Sequence, residues 1–389
     1  MNDPVVIASA ARTPIGGFMG ELASLTAPQL GGHAISSAIS RAGLAMEAID
    51  EVIMGCVLPA GQGQAPARQA ALGAGLPLSA GATTVNKMCG SGLKAVMLAH
   101  DALLAGSSDV VVAGGMESMS NAPYLLPKVR AGLRMGDGVV QDHMFLDGLT
   151  DAYEKDRLMG SFAEDCAGHY GFTREVQDAF AVASLERARA ADFSWEIAPL
   201  VVTSKKGETH IQRDEQPATA RPEKIPTLKP AFREGGTVTP ANSSSISDGA
   251  AALVLMRLSS ARTFNLTPLA KVVAHSTHAQ APALFTTAPV GAISKVLARA
   301  GWQAGQVDVF EINEAFAVVT LAAMHELTLS HDKVNIHGGA CALGHPIGAS
   351  GARILVTLLG ALRARAGRRG VASLCIGGGE AVAVAVEMM

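Results

Sequence analysis

Cys89 stands in a setting in which a thiol could react with a closely bound ligand. It is followed directly by Gly90-Ser91-Gly92 and then by an apolar run that predicts a helix. A thiol at the start of a helix lies at the positive end of the helix dipole, which is expected to lower its pKa and favour the nucleophilic thiolate. The alternative is a small buried cysteine in a tight turn.

Two further glycine-rich segments contain side chains with the same potential. His345 lies between residues 338 and 351, before a second apolar run, and would act as the base for Cys89 if the two segments meet. Cys375 and Gly377 end a predicted strand, where ligands bind in sheets of this kind. A structural loop histidine and a buried strand cysteine are the alternatives.

Asn313 ends the strand predicted at Val309–Ile312 and is followed by Glu314. An amide beside a carboxylate at the end of a strand indicates polar site chemistry. The alternative is that Asn313 caps the next helix, since asparagine is a favoured N-cap residue.

The segments around Cys89 and His345 correspond to each other in an internal repeat. Four residues recur at one constant offset, Arg41, Ala42, Gly43 and Asp50 as Arg299, Ala300, Gly301 and Asp308. A Ser-Gly pair begins a helical run at residue 91 and again at residue 350, and a strand follows each run. We therefore expect two duplicated halves whose equivalent helices begin near a shared centre.

The elements of each half predict an α/β fold with mostly parallel strands, because short apolar strands alternate with helices. The helices predicted at Leu93–Ala105 and Ala352–Leu362 are apolar almost all round, which indicates a buried layer between two sheets. A charged, proline-rich region lies between the halves; within it Gly160–Ala191 reads as helical, with Thr173 as a plausible N-cap. We predict an N-terminal half at 1–118, completed by 247–267, an inserted loop domain at 119–246 and a C-terminal half at 268–389.

Composition excludes several classes of protein. The 389 residues are 49% hydrophobic and 17% charged, which excludes a disordered chain, and the net charge of -3 disfavours a nucleic-acid binder. The five cysteines form no CxxC pair, so neither a disulfide framework nor a zinc site is expected. No long uncharged apolar stretch and no secretory signal stand out, so we expect no membrane span and a cytoplasmic location.

Four ordered motifs, VNKMCGSGLKA, NEAF, GHPIGASGAR and CIGGG, resemble those of the thiolases, and the similarity runs essentially end to end. The resemblance is greatest to the acetyl-CoA C-acetyltransferases. It implies a duplicated fold with mixed sheets in a layered αβαβα arrangement plus an inserted loop domain. It also implies reversible condensation of two acetyl-CoA to acetoacetyl-CoA and coenzyme A through an S-acetyl-cysteine, with neither a cofactor nor a metal.

The resemblance implies a role for each candidate. Cys89 is the nucleophile, His345 activates it, and Cys375 is the acid/base for the α-carbon or the leaving thiol. Asn313 holds a water in one oxyanion hole with His345, and the amides of Cys89 and Gly377 form the other. The residues implied to contact coenzyme A are Met159, Arg221, Ala231, Phe232, Ser244 and Phe316.

Some expectations stay open at this point. A 3-ketoacyl-CoA thiolase of broader chain length is one alternative, and a non-catalytic acyl-CoA-binding protein is another, although a pure binder needs no pair of reactive thiols. Phe285 is expected near the acyl pocket. Leu158, Ser245 and Glu380 depart from the family pattern. A homo-oligomer, most simply a tetramer assembled through the segment Met116–Arg134, is expected.

Overall fold

The computed structural model describes residues 3–204 and 207–389, which form a ten-stranded mixed sheet, two small hairpins and eleven α-helices. The strands are β1 (Val5–Arg12), β2 (Gly16–Gly17), β3 (Glu51–Gly55), β4 (Gly81–Val85), β5 (Val110–Ser118), β6 (Tyr124–Leu125), β7 (Gln141–Asp142), β8 (Leu200–Ser204), β9 (Gly207–Ile211), β10 (Ser247–Arg257), β11 (Ala270–Ala279), β12 (Val309–Ile312), β13 (Arg369–Ile376) and β14 (Glu380–Met388). The helices are α1 (Ala27–Ala42), α2 (Pro66–Gly73), α3 (Ser91–Ala105), α4 (Met159–Tyr170), α5 (Arg174–Ala190), α6 (Glu215–Thr219), α7 (Leu258–Thr263), α8 (Ala288–Ala300), α9 (Ala317–Glu326), α10 (Ala340–Leu343) and α11 (Ile347–Arg365).

The predicted duplication is confirmed by the strand order. The first half runs β4-β3-β5-β10-β1 and the second runs β12-β13-β14-β11, with the same parallel and antiparallel pairings at equivalent places. A short antiparallel pairing of β1 with β11 joins the halves into one sheet. The expectation of mostly parallel strands is wrong. The last strand of each half, β10 in the first and β14 in the second, pairs antiparallel on both sides.

Helices cover both faces of each half, which confirms the layered αβαβα arrangement. Helices α1 and α2 pack on the outer face of the first half, and α8 and α9 on that of the second. Between the halves lie α3 and α11, whose side chains share one core with both. Among the described helices, α11 is long and apolar enough to span a membrane, but 83% of that stretch is buried inside the fold, which is typical of a core helix.

Two glycines let the central helices touch near their first turns. A Cβ atom on Gly92 would lie 2.7 Å from the amide nitrogen of Ala352, and one on Gly351 would overlap the amide nitrogen of Leu93. Only a residue without a side chain fits such a contact. The segments that precede α3 and α11, which hold Cys89 and His345, are thereby held side by side.

The stretch 160–191, which the sequence indicates as helical, forms two helices, α4 and α5. Helix α4 ends at Gly171, which adopts a left-handed conformation, and α5 begins after Thr173, whose side chain accepts a hydrogen bond from the amide of Val176. Buried Arg12 of β1 pairs at 2.7 Å with both Glu196 and Asp214, which ties the region between β5 and β10 to the sheet. The division into three domains stays a prediction.

Candidate active site

A cavity of about 390 Å³ brings together four residues from three segments that are far apart in the sequence. Cys89, His345, Cys375 and Gly377 all line it. Cys89 and His345 each come two residues before a central helix, whereas Cys375 and Gly377 lie where β13 ends. The contact between the first turns of α3 and α11 explains why these segments meet at one point.

Burial controls the protonation of the Cys89 thiol. Met88 adopts a left-handed conformation and turns the chain just before Cys89, and α3 begins at Ser91. Burial raises the pKa of Cys89 to about 11, although hydrogen bonds from the amides of Gly377 and of Cys89 itself oppose this. The predicted lowering of this pKa is therefore wrong for the free site, and the thiol needs a base before it can attack.

His345 is arranged as that base. Its Nδ1 lies 2.5 Å from Oγ of Ser350, whose hydroxyl donates to the carbonyl of Pro346 at 2.9 Å. Because a hydroxyl has one proton, Ser350 must accept from Nδ1–H, which leaves the lone pair on Nε2. That atom is buried and has no hydrogen-bond partner among the described residues. Burial, followed by repulsion from Arg353, lowers the pKa of His345 to about 3, so the ring is neutral.

Cys375 places a second thiol beside the first. It is buried near the end of β13, and burial raises its pKa well above the ordinary value, as does the proximity of Cys89. All five cysteines are free thiols. The cavity therefore holds two protonated thiols and one neutral imidazole at neutral pH.

Asn313 lies outside the cavity lining, directly after β12. Its Oδ1 accepts a hydrogen bond of 3.3 Å from Arg353, and its Nδ2 is buried without a partner in the described part of the chain. The alternative of a helix cap is wrong, because α9 begins at Ala317 with Phe316 as its N-cap residue. An unpaired amide donor remains that a bound water would satisfy.

Five of the six residues expected to contact coenzyme A line the same cavity, namely Met159, Ala231, Phe232, Ser244 and Phe316. The rings of Phe232 and Phe316 meet edge to face, with centroids 5.9 Å apart. Phe285 also lines the cavity and is buried. Arg221 does not. It lines a separate depression of about 290 Å³ with Lys224, and Pro240 borders both spaces.

Sequence reasoning missed two residues that hold the site together. Ser350 fixes the His345 ring, and Glu117 accepts hydrogen bonds from the amides of Val57 and Gly348 at 2.9 Å. Gly348 belongs to the first turn of α11, so Glu117 anchors the segment that follows His345. Burial raises the pKa of Glu117 to about 7. A signal was present for Glu117, since an acidic residue near the end of an apolar glycine-rich strand needs a buried partner.

Comparisons with known proteins agree along the whole chain. The family model for the N-terminal domain of thiolase matches residues 5–259, and that for the C-terminal domain matches residues 266–388. Acetyl-CoA acetyltransferase 1 of Arabidopsis thaliana is 52% identical, covering 99% of this chain and 94% of its own length. Acetyl-CoA acetyltransferase of Cupriavidus necator is 50% identical, with 98% and 99% covered. The crystal structure of Acat5 thiolase from Ascaris suum in complex with coenzyme A superposes with a TM-score of 0.93 at 42% identity, covering 99% of this chain and all of that one.

Proposed function

The chain belongs to the thiolase family, and we propose that its cavity transfers an acetyl group between two molecules of acetyl-CoA, giving acetoacetyl-CoA and coenzyme A. It is an acyltransferase that acts on coenzyme A thioesters. The observation that carries the proposal is the meeting of two thiols and a neutral imidazole with a free Nε2 in one cavity. The same catalyst runs the reverse thiolysis.

In the first step Cys89 Sγ attacks the thioester carbonyl of acetyl-CoA while its proton passes to Nε2 of His345. A neutral ring with an unpaired Nε2 is required for this, because the thiol, with its pKa of about 11, supplies little thiolate by itself. The amides of Cys89 and Gly377, which already point at Sγ, stabilise the oxyanion. The departing coenzyme A takes the proton of Cys375, which leaves an imidazolium and a thiolate.

In the second step the Cys375 thiolate removes a proton from the α-carbon of another acetyl-CoA. The resulting carbanion attacks the acetyl group on Cys89, and the freed Cys89 thiolate recovers its proton from His345. The enolate oxygen faces the His345 imidazolium and a water held by Nδ2 of Asn313. Every proton returns to its starting group, and a single cysteine could not be both the acetylated residue and the base.

The cavity lining suits the long flexible arm of a coenzyme A thioester. Most of its exposed surface is apolar, and Met159, Phe232 and Phe316 are among the residues that line it. Arg221 and Lys224 line the neighbouring depression across Pro240, where cations would face the nucleotide phosphates. These residues would bind the substrate and take no part in the acyl transfer itself.

Assembly into a homo-oligomer, most simply a tetramer, is part of the proposal. Large apolar side chains are exposed along one segment of the inserted region, Tyr124, Leu126, Val129, Leu133, Met135, Val139 and Val140. Exposed apolar surface of this kind marks contacts between proteins. The first residues of the segment expected from the sequence, from Met116 to Ser118, are instead buried in β5.

A thiolysis panel tests the function. We expect rapid cleavage of acetoacetyl-CoA and steeply falling rates for 3-ketohexanoyl- and 3-ketodecanoyl-CoA, because the buried ring of Phe285 lines the cavity and packs in the same cluster as Cys375. Comparable turnover of the ten-carbon substrate would favour a thiolase of broader chain length. Absence of turnover on all three, with tight binding of acetyl-CoA, would indicate a non-catalytic binder.

A further inference from the structure

A compact cluster of potential metal ligands lies outside the catalytic cavity, where the two halves of the fold meet. His100 and Asp101 belong to the second half of α3, and His275 lies in β11. Nδ1 of His100 and Nε2 of His275 approach the same Asp101 oxygen, Oδ1, at 3.2 and 2.9 Å. All three ligand atoms lie within 4.8 Å of one another.

The two distances to Asp101 Oδ1 are close to those between neighbouring ligand atoms around a bound metal. In tetrahedral zinc sites with Zn–N and Zn–O distances of about 2.0–2.1 Å, neighbouring ligand atoms are separated by about 3.3–3.4 Å. The two imidazole nitrogens lie within 4.8 Å of each other and close to the same carboxylate oxygen, so small adjustments of the three side chains would let them hold one ion. Two His and one Asp form a donor set that suits zinc and its first-row neighbours.

The charges and the solvent exposure around the three side chains favour the binding of a cation. Within residues 3–204 and 207–389, the two histidines are the only basic groups within ion-pair distance of the Asp101 carboxylate. The histidine side chains are 13% and 16% exposed, whereas that of Asp101 is 53% exposed, so the cluster is open on one side to solvent. His275 is held by strand pairing with Val384 and by Arg299, which donates to its carbonyl at 2.6 Å.

We propose that His100, Asp101 and His275 form a binding site for a divalent transition-metal ion such as Zn²⁺, with water in the remaining position. The ion would link α3 to β11, and hence the N-terminal half to the C-terminal half. Ten residues separate the start of α3 from Asp101, which is about 15 Å along the helix axis. The site is therefore structural and separate from the thiol chemistry.

The proposal makes the stability of the fold depend on metal. The ligands come together only in the folded chain, so an ion that binds them shifts the equilibrium toward the native state. The free thiols are competing ligands, and Co²⁺ distinguishes the two cases because cobalt–thiolate bonds give an absorption that nitrogen and oxygen ligands lack.

The test is titration of the full-length protein with Co²⁺ and Zn²⁺, followed by calorimetry, visible absorption and melting temperature. We expect one ion per chain without the thiolate absorption, and a melting temperature that rises with metal concentration. His275→Ala should weaken binding by at least about 100-fold, since loss of even an outer partner of a metal ligand typically costs 10- to 100-fold. His210→Ala, which removes an exposed histidine elsewhere, should leave the affinity unchanged.

Asp101→Asn is the second variant, because this exposed side chain can change without disturbing the core. It keeps the shape of the carboxylate and should also weaken binding strongly while the metal-free melting temperature stays close to that of the wild type. The proposal is overturned if no ion binds, if the bound cobalt shows cysteine ligation, or if His275→Ala and Asp101→Asn bind as tightly as the wild type.

Discussion

Replacing Ser350 by alanine tests whether the tautomer of His345 is set by one hydroxyl. The change removes the acceptor of the Nδ1–H bond of 2.5 Å in a fully buried place. A buried donor left unsatisfied costs about 1–3 kcal/mol. With that acceptor gone, nothing holds the proton on Nδ1; it can move to Nε2, on a ring that lines the cavity, and Nε2 then no longer accepts the proton of Cys89.

The size of the effect follows from that cost. The tautomer that accepts at Nε2 becomes less favourable by about 1–3 kcal/mol, which slows acetylation of Cys89 by about 5- to 150-fold. The acylation step should slow, whereas binding of acetyl-CoA should hardly change. The assay is single-turnover acetylation by rapid mixing with acetyl-CoA, followed by intact-protein mass.

Ser373→Ala is the matched control for this change. Ser373 is also fully buried, and its hydroxyl donates to the carbonyl of Val382 at 2.9 Å, away from the His345 ring. This variant should lose a similar amount of stability but acetylate Cys89 as fast as the wild type. The reasoning is refuted if Ser350→Ala acetylates at the wild-type rate, or if Ser373→Ala is slowed equally.

Three further predictions follow from the packing and the buried charges. Gly351→Ala should destabilise the fold by about 1–3 kcal/mol, seen in chemical denaturation, because its Cβ overlaps the backbone of Leu93. Arg12→Met should cost about 3–5 kcal/mol by the same measurement, because two buried carboxylates lose their cation. The pH profile of kcat/KM should stay flat through pH 6.5 and pH 9, because His345, with a pKa of about 3, remains neutral and Cys89, with a pKa of about 11, remains protonated.

Each of these three predictions has a control variant or an outcome that would contradict it. Gly168→Ala lies in α4 with open space around it, so the same substitution should stabilise by about 1 kcal/mol; equal destabilisation would contradict the packing argument. Lys271→Met removes a partly exposed lysine from an ion pair with Glu387, which keeps Arg368 as a partner, so it should cost less than about 1 kcal/mol; an equal loss would contradict the argument from burial. An acid limb near pH 6.5 would show that His345 titrates as an exposed histidine.

The duplicated architecture was predictable because each half contains the same local sequence patterns. The repeated Arg-Ala-Gly segments, the apolar helices and the Ser-Gly pairs all recur in order, and the strand Val309–Ile312 has the predicted bounds. The direction of the strands was not predictable from apolar runs, because β10 and β14 look alike in sequence whether they pair parallel or antiparallel. The direction of a strand depends on how the chain returns to the sheet.

The site was predictable as a set of residues but not as a set of protonation states. Glycines beside Cys89, His345 and Cys375 indicate where ligands approach. The pKa of a thiol depends on burial by distant segments, which no local motif records, and so burial outweighs the helix dipole at Cys89. Contacts between distant parts of the fold, such as that of His275 with Asp101 at a separation of 174 residues, cannot be recognised from the spacing of residues in the sequence.

The central claim is that Cys89 is acetylated and that Cys375 moves protons, and adduct mapping tests it most directly. The protein is incubated with acetyl-CoA, and the acetylated cysteine is located by peptide mass spectrometry. Wild type and Cys375→Ser should both have the acetyl group on Cys89, while carbon–carbon bond formation in Cys375→Ser falls by orders of magnitude. Cys89→Ala should show no adduct. An acetyl group on Cys375, or one that persists without Cys89, would contradict the account.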